Sequence, residues 1–125
     1  MTEPLLHLLF AFGGGFGAVA RYLLTTVVTH RFPLSTLIVN VAGCFILGLG
    51  LSTLWDASAL AGEEQRRLLV GFCGGFTTFS SFAYQSFDLH RTDTLLHAAV
   101  NVIASVLLCV MAFVAGRGAG ALLVA

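Results

Sequence analysis

The sequence predicts an all-α integral membrane protein, a single domain (1–125) of four transmembrane helices with a break in the third. Three observations carry this reading. Of 125 residues, 58% are hydrophobic and 10% charged, whereas soluble domains run at about 45–50% and 25%. Four apolar stretches are each long enough to cross a bilayer as a helix, which takes about 20 residues. Runs such as Val102-Ile103-Ala104-Ser105-Val106-Leu107-Leu108 are apolar on consecutive positions, so they lack the alternation of a membrane barrel strand. Backbone groups in lipid must be satisfied internally, and helices then remain as the solution. A chain this short needs polar residues to cover its large relative surface, so their scarcity excludes a soluble enzyme, a nucleic-acid binder and a disordered tail. Six arginines and six acids cancel, leaving no net field to steer a charged partner.

The spans fall at roughly 5–29, 34–55, 68–87 and 94–116. The first is glycine-rich and has Glu3 rather than a basic leader before it, unlike a cleaved signal peptide. His30-Arg31-Phe32-Pro33 separates it from the second span. A charged loop, 56–67, with Asp56, Glu63, Glu64, Arg66 and Arg67, precedes the third, and 88–93 precedes the fourth. Gly13-x-x-x-Gly17 and Gly71-x-x-x-Gly75 are pairs of small residues that let helix backbones approach closely in lipid. Asn40, Cys44 and Gly48 form an i, i+4, i+8 line on the second helix. Four helices enclose little space, so an oligomer is expected.

Arginine placement is nearly balanced. Arg66, Arg67 and Arg117 lie on the side of the termini and second loop, with Arg31, Arg91 and by snorkelling Arg21 on the other. Either a single arginine or the first helix alone sets the orientation, or copies insert both ways and pair antiparallel. Cys44, Cys73 and Cys109 each sit in an apolar run without C-x-x-C spacing, as small buried residues do. His7, His30, His90 and His97 form no facing set for haem or metal and read as interfacial residues.

Candidate chemistry concentrates in the third span. Gly71 to Phe82 combines Gly74-Gly75 with Thr77, Thr78, Phe79, Ser80, Ser81 and Phe82. Paired glycines weaken a helix by about 1 kcal/mol each relative to alanine, and adjacent threonines can bond to freed carbonyls. Broken membrane helices offer carbonyls to cations and amides to anions; a kink at a helix crossing is the plainer alternative. Phe79 and Phe82 share a face at i, i+3, and phenyl edges carry partial positive charge. With hydroxyls beside them they can coordinate a small anion without a formal charge. Asn40, Asn101 and Ser105 add uncharged donors, singly read as inter-helix glue and together as a polar track. No span interior holds Lys, Asp or Glu, which argues against a proton-coupled pump. Arg21 either anchors at the interface beside Tyr22 or binds backbone carbonyls.

The run Gly13 to Tyr22, the run Ser35 to Gly43 and the run Gly71 to Phe82 resemble the Fluc (CrcB) family of bacterial fluoride channels, and the likeness extends over essentially the whole chain. The resemblance implies an antiparallel, dual-topology homodimer in the bacterial inner membrane that exports fluoride passively and protects the cell from it. It further implies that Phe79 and Phe82 present ring edges to the ion and that Asn40 donates to it. Thr78, Ser80 and Ser105 would extend the polar pathway, with Asn101 in it and Arg21 in a vestibule or structural role. Gly74 and Thr77 would give carbonyls to one structural Na+ shared by both subunits. Ala83, Ser81, Asn101 and Ser35 depart from residues common in the family (serine, threonine, tyrosine and glycine respectively). Two other classes stay open beside it. A small dual-topology multidrug exporter would need a mid-membrane carboxylate in its first helix, where none follows Glu3. A non-transporting membrane subunit would use the polar residues only as glue.

Overall fold

The computed structural model describes residues 2–29, 32–56 and 62–125. His30, expected at the interface, Arg31, which entered the arginine balance, and 57–61 of the second loop lie outside the described residues. Helix α1 spans Glu3–Val27, with Pro4 in its first turn, where the missing N–H has no intrahelical partner to lose. Helix α2 spans Leu34–Gly50 and continues as a π-helical segment, Leu51–Asp56. Helices α3 (Glu63–Phe76) and α4 (Phe79–Thr92) follow, and α5 runs over Leu95–Leu123. Among the described residues no strand occurs.

Glu3–Val27, Leu34–Trp55 and Leu95–Leu123 are long and apolar enough to cross a membrane. α3 and α4 have 14 residues each, about 21 Å at 1.5 Å per residue, short of a hydrocarbon core of about 30 Å. The helical stretch around 68–87 is longer than the apolar run because charge suits its start. Glu63 and Glu64 occupy the first turn of α3, where carboxylates favour the helix dipole. Glu63 also pairs with Arg66 at 3.3 Å and Arg67 at 3.4 Å. The last helix passes the expected end at Gly116 and continues to Leu123. Apolarity fails at Arg117, but Gly116 and Gly120 still pack on α2, and that packing holds the helix together.

Glycines set how the helices meet. A Cβ on Gly13 would strike the backbone of Leu68 and Phe72, and one on Gly17 that of Phe72 and Phe76. Reciprocally, Gly71 and Gly75 abut Phe10 and Gly14. Residue numbers rise together along both helices, so α1 and α3 run parallel in backbone contact. The same holds for α2 and α5. Gly48 abuts Phe113 and Arg117, Gly116 abuts Phe45 and Leu49, and the Ser52 hydroxyl donates to the Arg117 carbonyl at 2.7 Å. α4 leans on α5, where Asn101 Nδ2 donates to Ser86 Oγ at 2.8 Å. Much of the outer surface is apolar, including Phe12, Phe16, Ile103 and Met111, as lipid contact requires.

These contacts separate glycines that tolerate a side chain from those that do not. Gly17→Val is expected to destabilise the purified protein by about 1–3 kcal/mol or more through overpacking. Gly15→Ala, whose Cβ would meet nothing within 4 Å, should be neutral or stabilising by about 0.5–1 kcal/mol. Thermal unfolding in detergent checks the pair, and equal effects would discredit the α1–α3 backbone contact.

Candidate functional site

The helical ladder is interrupted between α3 and α4, where Thr77 and Thr78 adopt extended backbone (φ −83°, ψ 158° and φ −148°, ψ 119°). Both the N–H and the hydroxyl of Thr77 donate to the Cys73 carbonyl, at 3.0 and 2.8 Å. The Thr78 N–H, which a continuous helix would direct to Gly74, donates instead to Asn40 Oδ1 at 2.8 Å. Asn40 Nδ2 in turn donates to the Thr78 carbonyl at 3.1 Å. One side chain of α2 thus receives both backbone groups of Thr78. Arg21 Nε donates to the Gly75 carbonyl at 3.1 Å, so of the two sequence alternatives for this arginine the structure selects carbonyl binding. The glycine pair does not itself unwind. α3 persists through Phe76 because Gly75 lies against α1.

α4 begins with a side-chain cap. The Ser81 N–H donates to Thr78 Oγ1 at 3.1 Å, and the Thr78 and Ser80 hydroxyls share a bond at 3.3 Å. The first turn therefore presents backbone amides and the positive end of the helix dipole at the junction. Phe79 and Phe82 leave this turn with ring centroids 5.4 Å apart and planes tilted by 54°. Phe79 is 78% exposed on the protomer, and Phe82 is half-buried.

Both rings line a cavity of about 260 Å³. Its wall is completed by Asn40 and Cys44 from α2, Thr77 and Thr78 from the junction, and Ser105, Val106 and Cys109 from α5. Among the described residues no formally charged side chain lines it. Behind the wall, Asn101 is 2% exposed. Its Nδ2 donates to Ser86 Oγ at 2.8 Å, and its Oδ1 accepts from the Ser105 hydroxyl at 3.4 Å. Ser86 donates to the Phe82 carbonyl at 2.8 Å. Asn101 therefore links α5 to α4 and lies outside the cavity lining. Ser80 is likewise outside it, exposed and bonded to Thr78. Gly74 is exposed, and a Cβ there would meet nothing within 4 Å.

Phe79, Phe82, Asn40, Thr78, Thr77 and Ser105 are thus brought to one place. Sequence reasoning missed Cys44, Val106 and Cys109 as wall residues. The signal was available: Cys44 follows Asn40 by one i+4 step and Cys109 follows Ser105 by another, so each pair shares a helix face. It also missed Gln85, whose amide oxygen is buried on α4 without a hydrogen-bond partner. Among the described residues no group of three or more metal-ligating side chains occurs. A hard cation would find its oxygens on the backbone instead. The Gly74 carbonyl is the acceptor that loses its usual donor to Asn40, next to the negative end of α3.

The profile of the family described as "CrcB-like protein, Camphor Resistance (CrcB)" matches residues 8–117. A fluoride-specific ion channel FluC of Methylobacterium radiotolerans is 41% identical to the chain over 115 residues, covering 88% of this chain and 80% of its own. Proteins of the same name from Solibacter usitatus and Pyrococcus abyssi are 42% and 43% identical over 106 and 105 residues. Each alignment covers 82% of this chain, with 87% and 85% of the respective relative.

The Asn40 clamp has a measurable consequence. Asn40→Ala leaves an N–H and a C=O of Thr78 without partners, at about 1–3 kcal/mol for each group that stays buried. Amide exchange around Thr78 should quicken and the unfolding temperature in detergent should fall. Exchange equal to that of the unsubstituted protein would mean that other groups hold the junction.

Proposed function

The chain belongs to the CrcB-like family, and from this premise we propose that it is a fluoride-specific ion channel that lets F− leave the cytoplasm down its gradient. The observation that carries the site assignment is the cavity itself, where two phenylalanines, the start of α4 and neutral polar side chains converge with no charged side chain among the described residues. Fluoride holds water tightly, so a narrow site must replace its hydration by several contacts at once. Phe79 and Phe82 supply positive ring edges. Asn40 has a second Nδ2 hydrogen beyond the one committed to Thr78. The Ser105 bond to Asn101 is long at 3.4 Å, so its hydroxyl turns readily toward an anion, with Asn101 orienting it from behind. Thr78 and Ser80 continue the polar path at the start of α4. A site without formal charge binds weakly enough for the ion to leave again, which conduction requires. External acid would bring fluoride in as neutral HF, and the ionised form would exit here, sparing cytoplasmic enzymes. The protein performs no catalysis in this reading.

The working form is a multi-pass protein of the bacterial inner membrane in which α3 and α4 together make one broken span, the third of four. It is an antiparallel homodimer whose copies insert in opposite orientations. The near balance of arginines supports dual insertion. Exposure of Phe79, Ser80 and Gly74 on the protomer supports a second copy that covers them. Carbonyls of Gly74 and Thr77 would hold one Na+ between the subunits, and four hard oxygens suit such a cation. When bound, that ion ties the two junctions together electrostatically. Arg21 secures the neighbouring Gly75 carbonyl.

Fluoride efflux from liposomes, followed with a fluoride electrode, tests the assignment. Phe79→Ile and Asn40→Asp are each expected to abolish efflux, with chloride flux absent throughout. Efflux indifferent to both substitutions would refute the placement of the pathway. For topology, a cysteine introduced near a terminus should react with impermeant reagents from both faces of the membrane. Labelling from one face alone would rule out the antiparallel arrangement.

A further inference from the structure

Three polar side chains behind and at the cavity wall are strung in one direction. On α4 the Ser86 hydroxyl donates to the Phe82 carbonyl at 2.8 Å. A hydroxyl carries a single proton, so toward its other neighbour Ser86 Oγ can only accept, and it does so from Asn101 Nδ2 at 2.8 Å. That bond decides which way the Asn101 amide faces. Its Oδ1 is left for the next turn of α5, where the Ser105 hydroxyl donates to it at 3.4 Å. Asn101 is 2% exposed, so water does not compete for these groups. Ser105 lines the cavity, whereas Asn101 and Ser86 do not. The one proton of Ser105 is therefore drawn into the wall, and its lone pairs are what remain for the cavity. An anion meets the wrong pole of that hydroxyl unless the proton is released.

We propose that Asn101 and Ser86 are positioning residues that set how tightly the cavity holds an anion. Asn101 Oδ1 competes with the anion for the Ser105 proton, and Ser86 keeps the amide in the competing orientation. This rests on the reading of the cavity as a fluoride site. The contested bond is the weakest of the string, since 3.4 Å exceeds the usual 2.5–3.0 Å for a hydroxyl donor and an oxygen acceptor. A charged acceptor draws a hydroxyl more strongly than a neutral amide oxygen, so the proton swings toward the anion when one arrives. Oδ1 is then left buried without its donor, which is unfavourable and offsets part of the binding. When the ion moves on, Oδ1 takes the proton back. Asn101 thus lowers affinity and speeds release without standing in the path, as conduction requires.

The test measures initial fluoride efflux from liposomes against internal fluoride concentration. Asn101→Leu, similar in shape but without an acceptor, should lower the half-saturating concentration by about three- to tenfold, the worth of one hydrogen bond, and should also lower the maximal rate. Damage to packing alone would not tighten binding. Ser86→Ala should move both values in the same direction, because Asn101 Nδ2, left without an acceptor, turns to Ser105 Oγ and frees its proton for the cavity. Ser86→Thr keeps the hydroxyl and should restore the unsubstituted values. An unchanged or raised half-saturating concentration in whichever of Asn101→Leu and Ser86→Ala folds would overturn the competition and leave the channel reading intact. Absence of fluoride efflux from the unsubstituted protein would overturn the channel reading and this inference with it.

Discussion

Two consecutive residues leave the helical ladder inside an apolar bundle, and the hydrogen bonds that receive their backbone groups are the constraint on which the site depends. An unpaired amide or carbonyl in hydrocarbon costs several kcal/mol. Thr77 satisfies its own N–H within α3 and adds a hydroxyl bond to the same carbonyl. Thr78 cannot do this, because extended backbone points its groups away from the helix, and Asn40 takes both. Arg21 takes the Gly75 carbonyl. Without these partners the cheaper conformation is a continuous helix, with the Thr78 amide returned to Gly74. In that conformation the cap on Ser81 is lost, and Phe79 and Phe82 no longer leave a helix N-terminus.

The partners hold only because the helices that carry them cannot slide. Asn40 belongs to α2, which is fixed on α5 through Gly48 and Gly116; Arg21 belongs to α1, which is fixed on α3 through Gly13, Gly17, Gly71 and Gly75. Two parallel pairs in backbone contact thus position the donors for the junction to within hydrogen-bond tolerance. The glycines matter here for the absence of a Cβ, since backbone contact in lipid comes from packing and not from expulsion of water.

How much of this was legible follows from the range of each interaction. Apolar length marked the three long helices, Glu3–Val27, Leu34–Trp55 and Leu95–Leu123, since it is a local property of the chain. That α5 runs on to Leu123 goes with Gly120 meeting Ser52 and Leu49, which is invisible to a hydropathy count. The junction was located to within a few residues from Gly74-Gly75 and the following threonines. Its true position depends on Asn40, 38 residues away, and no local rule reports that competition for the Thr78 amide. Arg21 illustrates the same limit: a charge inside an apolar run signalled a carbonyl or an interface, and only the fold shows that Gly75, 54 residues on, is the acceptor. Asn101 and Ser105 were legible as a pair at i, i+4. That one lines the cavity and the other stands behind it depends on how α4 leans against α5.

If the cavity takes an anion, as proposed, the arrangement accounts for a site that dispenses with a cation beside it. Arg21 is near the junction, yet its Nε bond to Gly75 draws the guanidinium toward the carbonyl end of α3, where negative partial charge gathers. The cavity meets the opposite pole, the amide end of α4. One broken helix therefore separates the two signs of the backbone dipole over a few residues, with carbonyls on one side and amides on the other. A guanidinium lining the cavity would strengthen binding but slow release, and a pathway needs each contact to be individually weak. In the proposed site, ring edges, a shared amide hydrogen and a loosely bonded hydroxyl would meet that need, and their number rather than their charge would offset the lost hydration.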